Sequence, residues 1–180
     1  MPRFQDIRQI TMAKYHVDIS WDYLESWIES HDIDMDPDFQ RGYVWNQTQK
    51  EQYIEWVLRN GNSGRDIYFN HPGWFRDWDG QMVIVDGKQR VEAVLGFLHD
   101  EVKAYGHYKS EYTDRMRLVT SGFSVYVADL ESREEVLQWY LDMNTGGTYH
   151  TDEEVNKVKE LLRVEKTKNM ENDSSRKTKL

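Results

Sequence analysis

The stretch VIVDGKQRV, residues 83–91, decides the fold of this chain. It opens with three apolar β-branched residues, which are typical of a buried strand. Asp-Gly then signals a tight turn, and apolar residues recur beyond it at the spacing of one helix face, at Val91, Val94, Leu95 and Leu98. The sequence therefore predicts a strand that passes through a tight turn directly into a helix.

The polar residues of this junction suit an anion. Asp86 ends the strand, and Gly87 permits a positive φ or a close backbone approach. Lys88 and Gln89 fall in the first helical turn, whose free N–H groups attract anions, and Arg90 can hold a phosphate bidentately. An ordinary strand-to-helix turn, with Asp86 as the helix cap and Arg90 in a surface ion pair, explains the same five residues equally well.

A second stretch, FQRGYVW at residues 39–45, lies in a region without periodicity. Aromatic residues around an arginine are typical of a binding surface, and equally of a loop that Phe39 and Trp45 pin to the core. The alternating Asp34, Asp36 and Asp38 just before it are interpreted as a solvated turn. The turn that begins at Asn144 (Asn-Thr-Gly-Gly) fits a glycine C-cap better than a phosphate loop, although both remain open.

Composition limits the class of protein. The chain has 180 residues, enough for one domain with a core, and its net charge is −9. That charge argues against unspecific binding of duplex DNA through a basic surface but leaves room for a small basic pocket. Cysteine is absent, no apolar run is long enough to span a bilayer, and the N-terminus has no signal-peptide pattern. We expect no membrane partner and a cytoplasmic location.

The rest of the pattern predicts one mixed domain over residues 1–163, followed by a disordered polar and basic tail at 164–180. Helices alternate with short strands, and an Asp-Gly pair at residue 79 suggests a hairpin. Three capping boxes are expected, at Thr48/Glu51, Ser132/Glu135 and Thr151/Glu154. The strands are expected near 14–19, 66–70, 81–86 and 123–127.

Taken in order, the three motifs resemble the N-terminal domain of GmrS-type restriction factors, which SspE-like defence proteins share. The family's pattern is Phe-Gln-Arg-x-(Tyr/Phe)-x-Trp, then Asp-Gly-Gln-Gln-Arg, then Asn-Thr-Gly-Gly, and the match covers roughly residues 18–163. The resemblance implies an α+β fold of the ParB/sulfiredoxin-like type, a single domain with a small mixed sheet flanked by helices.

It also implies a nucleotide-binding phosphohydrolase that is related to the restriction of modified DNA. A nucleoside triphosphate would be the substrate, with Mg²⁺ held by Asp86 and no tightly bound organic cofactor. Carried over by position, Asp86 and Arg90 would be catalytic. Gln89 and Arg90 would contact phosphates, and Gln40 and Arg41 would complete the pocket from the opposite loop. The expected nucleotide-binding residues are Gln40, Arg41, Gly87, Lys88, Gln89 and Asn144.

Two departures keep other functions open. Lys88 replaces the first glutamine of the motif, which either strengthens phosphate binding or changes the chemistry. The sequence also carries no His/Asn-type nuclease motif, so we expect it not to cut DNA by that route; a phage or mobile-element protein and a piece of a longer one both fit.

The alternatives are a ParB-like DNA nickase or endonuclease, and a non-enzymatic regulator of a host or phage defence protein. The latter would use an aromatic hairpin at Trp74, Phe75 and Trp78, although these residues fit a sheet face covered by a helix better.

Overall fold

A single mixed sheet organises the fold. The computed structural model describes residues 14–74, 80–144 and 151–177. Across the sheet the strand order is β1-β4-β2-β3; β4 runs antiparallel to β1 and parallel to β2, and β3 runs antiparallel to β2. The strands are β1 (Lys14–Ser20), β2 (Asp66–Asn70), β3 (Val83–Asp86) and β4 (Gly122–Ala128).

Helices surround this sheet, which confirms the predicted α+β class. A short 3-10 helix spans Lys109–Glu111, between α3 and α4. In the part of the chain that the structure describes, none of the helices combines the length and apolar character that a membrane crossing needs. The helices are α1 (Trp21–Ser30), α2 (Gln47–Leu58), α3 (Lys88–Leu98), α4 (Met116–Thr120), α5 (Arg133–Asn144) and α6 (Asp152–Lys177).

Strand β3 is covered on both faces. Its neighbouring residues Ile84 and Val85 are both fully buried and, because side chains alternate along a strand, they enter different apolar clusters. Ile84 joins the main cluster with α1 and α3, whereas Val85 joins a smaller cluster with α5 and α6. This double burial explains the unbroken apolar run at the start of the deciding stretch.

The outer edge of β3 is also covered. The segment that covers it contains Asp34, for which the sequence predicts a solvated turn. Asp34 forms a parallel bridge with Val83, and its backbone N–H donates to the Met82 carbonyl oxygen at 2.8 Å. The flanking carboxylates are not merely solvated, which corrects that interpretation: Asp36 pairs with Lys88, and Asp38 pairs with Arg133.

Two of the three expected capping boxes are confirmed, at Ser132/Glu135 and Thr151/Glu154. The third is wrong, because α2 begins at Gln47 and so places Thr48 inside the first turn. Asn46 caps this helix instead, accepting from the Gln49 backbone N–H at 2.9 Å while the Gln49 side chain accepts from Asn46.

The sequence predicts a disordered tail at 164–180. In the structure, residues 164–177 instead continue helix α6. Ion pairs one turn apart support the exposed face, among them Lys168 Nζ to Glu165 at 3.1 Å. Asn169 on α6 also donates to Glu134 on α5 at 3.0 Å. Composition alone could not predict this, since the stabilising contacts come from a neighbouring helix.

The hairpin expected at Asp79, between residues 73–78 and 81–86, falls largely on residues 75–79, which lie outside the described residues, so it stays a prediction. Strand β3 pairs antiparallel with β2 across the longer segment 71–82. Of the three aromatic residues proposed there as a contact surface, Trp74 is half-buried and its ring meets Tyr15 edge-on at 4.7 Å. Phe75 and Trp78 also lie outside the described residues.

Candidate functional site

A cavity of about 470 Å³ opens where β3 passes into α3. All eight predicted site residues line it, so the structure brings the two motifs and Asn144 to one place. The predicted residues in its lining are Gln40, Arg41, Asp86, Gly87, Lys88, Gln89, Arg90 and Asn144; those that sequence reasoning did not assign to a site are Trp45, Tyr53, Trp56, Ser63, Gly64, Tyr140 and Met143.

Gly87 makes the sharp turn between β3 and α3. Its φ is +106°, and a Cβ built on it would lie 2.4 Å from Cδ1 of the fully buried Ile67. Gly87 is the N-cap of α3, and no side chain caps the helix there, so Asp86 is not the cap. Residues 87–90 line the cavity, so the start of α3, which no side chain caps and which is the positive end of the helix dipole, belongs to the cavity lining.

Asp86 and Arg90 form a fixed pair inside the cavity. One guanidinium nitrogen of Arg90 lies 2.5 Å from Asp86 Oδ2, and another donates to the Asp66 carbonyl oxygen at 2.7 Å. The Asp86 side chain keeps 36 % of its surface exposed. Because a guanidinium has five N–H donors, Arg90 keeps further donors for a ligand after these two bonds.

The two glutamines of the motifs hold the site together. The Gln40 amide donates to the carbonyl oxygens of Ile84 and Val85 at 3.1 and 2.8 Å. Gln40 and Gln89 are both buried. Their amides are thus occupied in joining the loop to the strand-helix junction, and both residues position the site rather than reach into it.

The Gln89 side chain is the stronger of these links. Its Oε1 accepts from the backbone N–H groups of Val44 and Trp45 at 2.9 and 3.1 Å, and its Nε2 donates to the Gly42 carbonyl oxygen at 3.1 Å. Every polar atom of the amide therefore binds the 42–45 loop.

Lys88, the departure from the family motif, points its ammonium at the loop. Nζ pairs with Asp36, donates to the Arg41 carbonyl oxygen at 3.2 Å, and lies 4.8 Å from the centre of the Tyr43 ring. The side chain is only 3 % exposed. The nearby ammonium lowers the pKa of the Asp36 carboxyl. The lysine charge is therefore satisfied within the protein, and Lys88 faces the cavity mainly through its backbone.

The far wall of the cavity carries Arg41 and the end of α5. Arg41 lies 3.9 Å from Glu154 of α6, and its side chain is 14 % exposed. Asn144 donates from Nδ2 to the Tyr140 carbonyl oxygen at 2.7 Å, so its amide nitrogen helps to end α5. The remaining residues of that motif, 145–147, lie outside the described residues.

Three aromatic residues form the other wall. The rings of Trp45 and Tyr53 are 5.4 Å apart, the Tyr53 hydroxyl donates to the Gly64 carbonyl oxygen at 2.8 Å, and burial raises the Tyr53 pKa. Trp56 donates to the Ser63 carbonyl oxygen at 3.2 Å. Sequence reasoning placed Tyr53 on the core face of α2; the signal it missed is a pair of aromatic residues three positions apart on that helix.

A divalent ion would find one carboxylate here. Among the described residues that line the cavity, Asp86 alone carries a carboxyl group, and in the described ranges no three or more His, Asp or Glu side chains are grouped so that they could hold a metal ion. One carboxylate suits Mg²⁺, which commonly binds through one or two carboxylates together with substrate phosphates and water.

The fold and the site define an α+β domain whose Asp-Gly-Lys-Gln-Arg turn is fastened to a Phe-Gln-Arg loop. The chain belongs to the family of the N-terminal domain of the GmrSD restriction endonuclease, whose family model matches residues 24–178. This confirms the resemblance found in the motifs, and the match extends into the helix that replaces the expected tail. No curated protein and no solved structure matches significantly. The ParB/sulfiredoxin-like assignment stays a prediction.

Tyr140 gives the site a testable pH dependence. Burial raises its pKa to about 12, although the Arg41 cation acts in the opposite direction. Because the folded state holds this proton more tightly, its contribution is complete below the ordinary pKa of about 10 and is lost as pH rises towards 12. We expect the free energy of unfolding of wild type, relative to Tyr140→Phe, to fall by about 2 kcal/mol between pH 9 and 12 in urea titrations. The control is Tyr23→Phe, because Tyr23 is exposed. If the free energy of unfolding fell by the same amount between pH 9 and 12 in Tyr140→Phe and in Tyr23→Phe, the prediction would be contradicted.

Proposed function

We propose that this chain binds a nucleoside triphosphate in the 470 Å³ cavity and hydrolyses it, as a step that governs restriction of DNA. One observation carries the proposal. The same cavity joins a cationic side, made by Arg41, Arg90 and the start of α3, to an aromatic side, made by Trp45, Tyr53 and Trp56. A nucleotide needs both, because its phosphates are anionic and its base is a flat π system.

The cationic side suits the phosphates. The chain as a whole is acidic, with a net charge of −9, yet two arginines line this cavity. Asp86 is the one carboxylate among the described lining residues, and Glu154 makes only a long contact of 3.9 Å with Arg41. Arg90 is held rigidly by Asp86 and by the Asp66 carbonyl oxygen. A guanidinium fixed in advance loses little entropy when it binds a phosphate, and the free N–H groups of α3 add to the attraction.

The aromatic side suits the base. Trp45 and Tyr53 are fixed by contact with each other, and Trp56 is fixed by its indole hydrogen bond. Stacking of a base on an aromatic side chain contributes about 1–3 kcal/mol and tolerates any base. The expected nucleotide preference is therefore weak unless backbone groups near Ser63 and Gly64 read the base edge.

For hydrolysis, a water oxygen would attack the γ-phosphorus while the bond from that phosphorus to the β,γ-bridging oxygen breaks. Arg90 would neutralise charge on the transferred phosphoryl group, and Asp86 would orient Arg90. Mg²⁺, held by Asp86 and phosphate oxygens, supplies further charge neutralisation when bound. Because the family is that of a restriction endonuclease domain, DNA is the expected larger target, and nucleotide hydrolysis would then control its cleavage.

Replacing Arg90 by alanine should weaken nucleotide binding at least thirtyfold, about 2 kcal/mol, because a charge-assisted phosphate contact is lost. The measurement is calorimetric titration of each nucleoside triphosphate with Mg²⁺. Arg163→Ala is the matched control, since Arg163 pairs with Glu160 on the exposed face of α6 and does not line the cavity. Its affinity should equal that of wild type.

Three results would count against the proposal. These are no binding of any nucleotide by wild type, equal loss in both arginine variants, and unchanged affinity in a folded Arg90→Ala protein. Plasmid nicking that requires Mg²⁺ and is lost in Asp86→Asn, without any nucleotide binding, would instead support the ParB-like nickase.

A further inference from the structure

A second cavity, of about 620 Å³, lies where the ends of α2 and α3 meet the segment 105–118. It shares no residue with the first cavity. Its volume falls in the range of small-molecule sites. Its lining combines three kinds of side chain, namely apolar, tyrosine and cationic.

The floor is apolar and belongs to the core. Phe97 and Leu118 are buried, and both belong to the main apolar cluster. The Tyr112 ring meets Phe97 edge-on at 6.2 Å, and its hydroxyl donates to the Ala104 carbonyl oxygen at 2.5 Å. The Tyr112 ring is therefore fixed at both ends as one wall of the cavity.

The second tyrosine of the cavity is Tyr105, which the backbone holds in an unusual conformation. Its φ is +50°, rare for a bulky residue, and Gly106 follows at +82°. Paired backbone bonds between Ala104 and His107 close this two-residue turn. Glu55 fixes it to α2 by accepting from the Tyr105 N–H at 2.7 Å, yet the Tyr105 side chain is 54 % exposed. The fold thus displays a tyrosine beside the cavity at a conformational cost.

The rim is cationic in an acidic protein. Three cations line the cavity, Lys109, Arg115 and Arg117, against one carboxylate, Asp114. Asp114 is occupied as the acceptor of the Met116 N–H at 3.1 Å, and Arg115 makes only a long contact of 4.0 Å to Asp22. Within the described ranges, no salt-bridge partner lies near Arg117, so its charge remains available to a ligand.

We propose that this second cavity binds one nucleotide unit, with the base against Phe97 and between the two tyrosines, and the phosphate on Lys109 and Arg117. An apolar floor with flat aromatic walls suits a planar base, and the cationic rim suits one phosphate. The unit would come either from a free mononucleotide or from a single strand of nucleic acid that passes over the rim. This site is independent of the nucleoside triphosphate cavity.

The test uses two probes at low salt: thymidine monophosphate, and a fluorescein-labelled oligothymidylate about ten nucleotides long. The rim variant combines Lys109→Glu with Arg117→Glu. Its control, Lys159→Glu combined with Lys168→Glu, makes the same charge change on the exposed face of α6. Arg90→Ala separates this site from the first cavity. We expect the rim variant to weaken binding at least tenfold, both alone and in combination with Arg90→Ala, and the α6 control to match wild type.

The two sources are distinguished by which probe responds. If the oligonucleotide binds in an anisotropy assay and the rim variant loses that binding, the ligand is a single strand. The salt dependence of oligonucleotide binding should then also be shallower in the rim variant, by about 0.7 in the log–log slope per lost phosphate contact. Binding of the mononucleotide alone, with the same loss, supports a free nucleotide. No binding of either probe, equal loss in the α6 control, or loss in Arg90→Ala alone would overturn the inference, whatever the outcome at the first cavity.

Discussion

Replacing Gln89 by leucine should lower the free energy of unfolding by about 3 kcal/mol and weaken nucleotide binding at the same time. The Gln89 amide makes three hydrogen bonds to backbone groups of the 42–45 loop, at 2.9, 3.1 and 3.1 Å. Each is worth about 1 kcal/mol net, and leucine can replace none of them. Trp45, one of the aromatic residues of the cavity, would lose its fixed position with the loop.

Urea titration gives the change in stability, which for a domain of this size corresponds to a fall of roughly 6–12 °C in Tm. Gln138→Leu is the matched control, because that exposed glutamine of α5 bonds only to Asp142 one turn away at 2.9 Å. We expect less than about 0.5 kcal/mol there. A loss below about 1 kcal/mol for Gln89→Leu would show that the loop does not depend on this amide.

The location of the site was predictable because it is encoded locally. A β-branched run, Asp-Gly and a helical pattern are consecutive in residues 83–91, and turn and helix chemistry act over a few positions. The strand, the turn and α3 therefore follow from the sequence alone. The opposing loop could be assigned to the same site only because the order of the motifs matched a family.

The roles of the individual residues were less predictable, because their partners are distant in sequence. Gln40 bonds to residues 44 and 45 positions away, and Lys88 bonds to Asp36, 52 positions away. A basic residue at the start of a helix suggests an anion site, and nothing in the local sequence reveals that the fold has already paired it. The side chains of the two glutamines and the lysine thus join the loop to the strand-helix junction. Arg41, Asp86 and Arg90 are the residues that we propose to act on the nucleotide.

The segment 100–120 escaped prediction for a different reason. Its structure is a two-residue turn, a 3-10 helix of three residues and a helix of five residues, all too short to produce a periodic pattern. The second cavity is built from this segment, so it could not be anticipated from the sequence.

Replacing Gly87 by alanine should lower the free energy of unfolding by about 3–4 kcal/mol. Two costs add: a φ of +106° is unfavourable for any residue with a side chain, and the new Cβ would lie 2.4 Å from Ile67 Cδ1. Ile67 is fully buried, so it cannot move away without disturbing the sheet. The first turn of α3 would shift, which should also weaken the proposed phosphate binding at that turn.

The two costs can be separated experimentally. Ile67→Val removes Cδ1 and by itself should cost about 1 kcal/mol, as similar truncations do. In the double variant the clash is relieved but the backbone strain remains, so the total loss should be smaller than the sum by 1 kcal/mol or more. Gly42→Ala is the control, since Gly42 lies in the same site region, φ there is not in the left-handed range, and an added Cβ would meet nothing within 4 Å. If Gly87→Ala and Gly42→Ala proved equally stable in urea titration, the turn would not require glycine. Another residue would then have to account for the geometry of the cationic side of the cavity.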